Sequence, residues 1–387
     1  MKSIIVIPTY WSRVKPVKED MVYDHPTPLD QNGTLGRLLE SLDVIKESDF
    51  STIVISCPTS PSIGEEVKNK VNRIIDPYRN KYKILHFSYP DLLKLHKLLK
   101  EKNKPEYIPY LSLKGYSNIR NMCIILPHIL KADVAILIDD DEVFEDADFI
   151  KKAHEFIGKN DLFAVAGYYV QPHGSYKFKE KKDWWKIYWN NTGAMNKAFE
   201  IIDKPPRLKD TPFVFGGNMI IHKNMFTRVL FDPYISRGED IDFLCNAKSK
   251  GFKFLIDNEL SIKHLPPTGQ NPLWLKMRED IKRFIYMRIK LKKSGYPINE
   301  TMPYPGYFLT GSLYFKIVIT NLILYYRAFF SGKIKEALRF SENILLTFKY
   351  RKNALSNYPK FKEKENKWQD FMECIAENRD EIKAIID

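Results

Sequence analysis

Cysteine is scarce in this chain, with four in 387 residues: Cys57, Cys123, Cys245 and Cys374, all far apart. They form no Cys-x-x-Cys motif and stand in no secretory context, so they read as buried thiols of a reducing compartment. The N-terminus has no apolar run long enough for a signal peptide; Ile4 to Ile7 within MKSIIVIPTY reads as a first strand. Internal repeats and low-complexity tracts are also missing. Acidic residues are outnumbered, 48 against 61 Lys and Arg, for a formal net charge of +13. Such a balance favours anionic partners: nucleotides, sugar phosphates, acidic lipid headgroups or nucleic acid. What remains is a globular composition, 44% hydrophobic and 28% charged, in a chain long enough for one large domain or two smaller ones.

The stretch that organises the rest is Ala132 to Val143, ADVAILIDDDEV. Val134 to Ile138 is a short unbroken apolar run, as in a strand buried on both faces of a parallel sheet. It ends in Asp139-Asp140-Asp141-Glu142, four acidic side chains that repel one another. A hard divalent cation, Mg2+ or Mn2+, would reverse that balance by taking carboxylate oxygens. In open α/β sheets ligands bind outside the carboxyl ends of the strands, which is where this run falls. A solvated acidic turn that starts the next helix is the plainer alternative.

Around it the chain alternates. Ser3 to Ile7 reads as a strand closed by Pro8-Thr9-Tyr10, followed by a polar, Pro-containing loop from Trp11 to Gly33. Leu35, Leu38, Leu39 and Leu42 recur at helical spacing. Strands are expected at Thr52–Ser56 and at 83–87, with helices at 63–75 and 91–100; this order means a parallel sheet with right-handed crossovers. Gly115-Tyr116-Ser117-Asn118-Ile119-Arg120-Asn121 leads into an apolar helix. Ser117 is its expected N-cap, with Arg120 and Asn121 in the first turn, where helix N-termini attract anions.

Beyond the acidic run, Leu162 to Gln171 reads as a strand. Trp184, Trp185 and Trp189 then crowd into one short stretch. Aromatic rings suit the apolar faces of sugars, and they equally suit packing a helix onto a sheet. Phe213 to Ile221 reads as a strand interrupted by Gly216-Gly217, a mark of close backbone approach or of a bulge. Arg237-Gly238-Glu239-Asp240 is a second acidic constellation, opening a helix at Phe243; Glu239 or Asp240 could cap it. Phe252 to Ile256 is a short expected strand, followed by His264.

From Asn271 onward the spacing is helical throughout, and most of the excess positive charge lies there. Tyr307 to Phe330 is long and apolar enough to raise a membrane span, but Lys316, Asn321 and Arg327 interrupt it. Packing on the preceding domain is the first expectation. A basic, aromatic helix of this kind could also lie on anionic lipid.

Four segments in order resemble the family 2 glycosyltransferases of the GT-A fold, over roughly residues 1 to 270. They are Ile4 to Tyr10, Leu35 to Leu42, Gly115 to Asn121 and Ile138 to Asp141. Two departures stand out: Ile119 replaces the family's usual Ala, and Ser56-Cys57-Pro58-Thr59 replaces an acidic residue that contacts the nucleotide base. The resemblance implies a GT-A (Rossmann-like), mostly parallel α/β sheet flanked by helices. Its donor half would be about 1–142 and its acceptor half about 143–270, with a helical, basic region at 271–387. It implies transfer of a sugar from a nucleoside diphosphate sugar to a hydroxyl acceptor on a glycan, glycolipid or small molecule. Asp139 and Asp141 would hold Mn2+ or Mg2+, with His264 as third ligand. Pro8, Thr9, Tyr10, Arg120, Asn121, Asp139, Asp140, Gly216, Gly217 and Arg237 would meet the donor. Asp240, with Glu239, would act as base in an inverting reaction, and Trp184, Trp185 and Trp189 would meet the acceptor. Nucleic acid is not an expected partner. The expected place is the cytoplasm, at the inner face of the membrane if the basic helix meets lipid. A nucleotidyltransferase would share the acidic cluster, but Pro8-Thr9-Tyr10 stands where its Gly-rich loop belongs. A non-catalytic nucleotide- or anion-binding module would leave both acidic motifs unexplained.

Overall fold

A computed structural model describes residues 1–15, 23–181, 183–267 and 271–386. Its strands are β1 (Ser3–Ser12), β2 (Thr27–Pro28), β3 (Phe50–Pro58), β4 (Ile84–Phe87) and β5 (Val134–Leu137), then β6 (Glu142–Val143), β7 (Leu162–Val170), β8 (Leu208–Asp210), β9 (Met219–His222) and β10 (Lys253–His264). They form one sheet in the order β4-β3-β1-β5-β9-β7-β10-β6, with β2 beside β1 and β8 beside β10. The β1, β3, β4 and β5 ladders and the β7–β10 ladder are parallel; β9 runs antiparallel to both β5 and β7. The sheet is flanked by helices and followed by a helical C-terminal region, the architecture expected from the pattern.

The helices of the first half are α1 (Leu35–Ser41), α2 (Gly64–Ile75), α3 (Tyr89–Glu101), α4 (Tyr116–Ile129) and α5 (Phe149–Glu155). Alternation along β1 explains why they cover both faces. Ile4 and Val6 join the core beneath α3 and α4, while Ile5 and Ile7 join the core beneath α1, α2 and α5. A strand with period-2 side chains can be apolar at every position only when both faces are covered. β1 does not stop at Pro8, as expected; it runs to Ser12. Pro8 is tolerated because the β5 ladder ends at Val6 and β2 pairs only from Trp11, so no strand lies beside Pro8 on that edge. Part of the expected loop, residues 16–22, lies outside the described residues.

The second half carries α6 (Asn191–Phe199), α7 (Lys223–Phe226), α8 (Glu239–Ser249), α9 (Leu273–Ser294), α10 (Gly306–Leu309), α11 (Leu313–Phe330), α12 (Ile334–Asn366), α13 (Trp368–Glu377) and α14 (Arg379–Ile386). Two expectations shift here. The strand foreseen from Phe213 begins only at Met219, and the short strand at Phe252 extends as far as His264. Residues on both sides of position 270 share one core, in which Trp189 and Phe215 pack with Phe284, Phe308 and Phe340. The end of the chain returns to the first half, where Trp368 and Phe371 stack around Tyr110.

Candidate active site

β5 delivers the acidic run to the carboxyl edge of the sheet, where it folds into a tight turn around Glu142. The Glu142 carboxylate accepts the Asp139 N–H at 2.8 Å, and the Glu142 N–H returns to the Asp139 carbonyl at 3.1 Å. Glu142 is fully buried, and burial pushes its carboxyl well above the usual range, with Asp139 and Asp141 adding to the effect. Gly217 is explained by the same side chain. A Cβ there would stand 2.2 Å from the Glu142 carboxylate, so the second glycine makes room for that carboxylate and does not itself line the cleft.

Each of the three aspartates has its own partner. Asp139 pairs with Arg120 at 2.8 Å. Asp140 accepts from the Thr9 hydroxyl at 2.6 Å; burial, reinforced by Asp141, pushes it up to about 7. Asp141 lies 3.1 Å from His25 Nε2 and 3.4 Å from His264 Nε2. Burial opposes its ionisation, but those two imidazoles hold it well below the ordinary carboxylate range. His25 is correspondingly raised, Asp141 overcoming the effect of its burial. Among the described residues no three His, Cys, Asp or Glu side chains are spaced as a metal-ligand set.

The second acidic motif opens α8. Gly238, at φ +72°, turns the chain into the helix next to the Arg283 guanidinium. Glu239 and Asp240 occupy the first turn, where the helix dipole favours anions; the N-cap position itself is Gly238. Glu239 is pushed up to about 7 by burial and then by Asp240, against the pull of Arg120. Asp240 is raised by burial, while the Ile241 N–H at 2.8 Å and the charges of Arg120 and Arg283 oppose the shift. Arg120, only 3% exposed, touches both motifs: its Nη2 meets Asp139 and its Nε lies 3.6 Å from Glu239.

These groups line one cleft of about 1160 Å³. Tyr10, Arg120, Asp139, Asp140, Asp141, Gly216, Arg237, Glu239, Asp240, His264, Trp185 and Trp189 all reach it. Gly216 has its Cβ position 2.7 Å from the Arg120 guanidinium and 3.5 Å from the Asp240 side chain, so a larger residue would displace the guanidinium that joins the two motifs.

Other expected site residues do not line it. Pro8 lies in the β1 ladder, and Thr9 is wholly buried beneath Asp140, which it supports. Asn121 sits in the second turn of α4, where its amide donates to the Phe231 carbonyl and accepts the Phe231 N–H, so it fastens a loop and does not line the cleft. Ser117 is not the cap of that helix. Gly115, at φ +86°, precedes the helix, and the Ser117 hydroxyl donates to the Ile235 carbonyl. Trp184 does not line the cleft and is 64% exposed.

The structure adds His25, Arg283, Tyr304 and Asp280 to the cleft. His25 lies in a loop without periodicity. Arg283 and Asp280 sit in a long helix where nothing in the spacing distinguishes a cleft-facing charge from a solvated one.

Fold and site together define an α/β protein with a large cleft at the carboxyl edge of its sheet, lined by two acidic motifs and by arginines. No protein-family profile matches the chain, and no curated protein matches it. Among solved structures it is similar to a mannosyltransferase from Pyrobaculum calidifontis, determined in complex with GDP-mannose and Mn2+. Identity is 10% and the TM-score 0.47, over 98% of this chain and 86% of that one. It is similar to a mycobacterial protein at 12% identity and TM-score 0.42, over 76% of each chain. It is also similar to mouse xyloside xylosyltransferase 1, apo form, at 14% identity and TM-score 0.31, over 65% of this chain and 77% of that one.

Proposed function

We propose that this chain is a glycosyltransferase that moves a sugar from a nucleoside diphosphate sugar to a hydroxyl acceptor, with inversion at the anomeric carbon. One observation carries the proposal: two acidic motifs distant in sequence face one cleft and are joined at its floor by the buried guanidinium of Arg120.

Asp141, with the imidazoles of His25 and His264 now turned onto its carboxylate, would hold Mn2+ or Mg2+ once those side chains turn towards the ion, while Asp139, expected as a ligand, is committed to Arg120. A cation held there would neutralise charge on the diphosphate leaving group. The chain's own part is positional and acid–base. Arg120 holds Asp139 and Glu239 in place. Arg237, paired to Asp24 at 2.7 Å on the cleft wall, and Arg283 beside Asp240 supply positive charge for a diphosphate. Asp240 accepts the proton of the acceptor hydroxyl as that oxygen attacks. Trp185 and Trp189 form part of the cleft wall on the acceptor side, and among the described residues neither indole N–H has a hydrogen-bond partner.

Thermal unfolding with UDP, GDP, CDP and dTDP, each with and without Mn2+, tests this. At least one diphosphate should raise the melting temperature by mass action, and more so with the metal. No shift with any of them, at concentrations well above ordinary affinities, would remove the donor from the proposal.

A further inference from the structure

Helix α11 is apolar on both sides. Leu313, Ile317, Leu324 and Ala328 are buried within the protein. On the other side Phe315, Val318, Leu322, Tyr326, Phe329 and Phe330 recur every three to four residues and are 38% to 81% exposed. A helix packed along one side has no use for a second apolar stripe unless something covers it. The same holds for α12, joined to α11 by Ser331-Gly332-Lys333. Ala337 and Phe340 face inward, while Ile334, Leu338, Leu345 and Phe348 are 48% to 73% exposed.

The charge around these rows has one sign. Lys333, Lys335, Lys349, Arg351 and Lys352 are exposed. Between Leu313 and Leu355 the acidic residues are Glu336 and Glu342, and Glu342 is already paired with Arg278 and Arg339. A second copy laid against this face would bring two cationic rims together. An anionic lipid surface meets both features, taking the apolar rows below its headgroups and the cations among them.

We propose that the α11–α12 hairpin docks on the surface of a bilayer containing anionic phospholipid. By length and composition Leu313–Phe330 is the one helix among the described residues that could cross a membrane. It lies along the surface instead, because its inner side is committed: Lys316 is buried against the Tyr307 carbonyl and ring, and Asn321 bonds Asn343 at 3.2 Å. The surface is continuous with the cleft. The Phe315 ring meets Tyr188 at 5.5 Å, beside the turn Trp184–Ile187, where Trp184 and Ile187 are exposed and Trp185 lines the cleft. Arg327 of α11 itself reaches the cleft. Docking would therefore set the cleft mouth at the membrane face. The proposal does not rest on the glycosyl-transfer reading.

Flotation of the full chain with vesicles of phosphatidylcholine, with and without phosphatidylglycerol, tests it. The protein should float with the anionic vesicles and be released by salt. Two variants made only of exposed residues should lower the bound fraction by about tenfold or more with unchanged circular dichroism and melting temperature. One is Phe330→Ser with Leu345→Ser and Phe348→Ser; the other is Lys349→Glu with Lys352→Glu. Absence of flotation, equal binding to neutral vesicles, or wild-type binding by the charge variant would overturn it. So would a wild-type dimer in light scattering that the apolar variant converts to monomer, which would assign the face to a second copy.

Discussion

Lys290 of α9 places its ammonium 2.7 Å from the Asp242 carboxylate of α8 and 2.8 Å from Asp232, with Lys290 only 2% exposed and both aspartates fully buried. Tyr286 donates to Asp232 from one turn earlier on α9, and the Phe361 ring of α12 lies 3.8 Å from the ammonium. The C-terminal helices are thereby fastened to the helix whose first turn carries Glu239 and Asp240. Burial pushes Asp242 up to about 6 against the pull of Lys290.

Replacing Lys290→Met would leave two neighbouring carboxylates buried without their cation. Breaking a buried pair by removing one partner typically costs about 3–5 kcal/mol. Urea unfolding should show a loss of that order, and a loss below about 1 kcal/mol would contradict the closed cluster described here.

Asp141→Asn keeps shape but removes the charge that His25 and His264 share. His25 should titrate at lower pH in the variant than in the wild type, since Asp141 is what raises it. NMR of the His25 ring protons reads that directly. Affinity for a nucleoside diphosphate should fall chiefly in the presence of Mn2+. Equal affinity of both proteins in Mn2+ by calorimetry would take Asp141 out of the proposed metal site.

Asp240→Asn preserves size and leaves the start of α8 intact. A base that acts only as the acceptor attacks matters for rate more than for donor affinity. Turnover should fall by about 100-fold or more, with the donor Kd nearly unchanged. NMR of the product's anomeric proton should show the configuration opposite to the donor's. A retained configuration would end the assignment of Asp240 as base.

His86 links pH to stability. It is buried between Asn72 at 2.9 Å and Ser56 at 2.8 Å, and burial lowers it to about 4. The fold therefore prefers the neutral ring, while the unfolded chain takes up a proton near the ordinary histidine value of about 6.5. Its contribution is complete above that value and is lost as the pH falls from about 6.5 towards 4, by up to about 3 kcal/mol. His86→Gln should flatten the slope of unfolding free energy across that window, and an unchanged slope would reject the assignment.

Much of the sheet was legible because periodicity is local. The unbroken apolar runs at Ile4 and Val134 announced strands covered on both faces, and the helices at 64–75 and 89–101 lie within a residue or two of their spacing. Both acidic motifs could be found for the same reason: like charges crowded beside a strand end or a helix start stand out in one dimension. Pro8 misled as a strand end because its harmlessness depends on how far the neighbouring β5 ladder reaches. Asn121 misled because an amide in a helix looks the same whether it faces a ligand or a loop backbone over a hundred residues away.

The sequence by itself determined where the main strands and helices of the first half begin and where the two charged motifs lie. Only the tertiary structure decided that His25 and His264 meet at Asp141, that Arg120 joins Asp139 to Glu239, and that Trp185 and Trp189 face the cleft while Trp184 does not. It also decided that Lys290 is buried while the outer rows of α11 and α12 are bare. The reason is physical: the spacing of side chains fixes which face of an element they share, whereas what covers that face is set by elements distant in the chain.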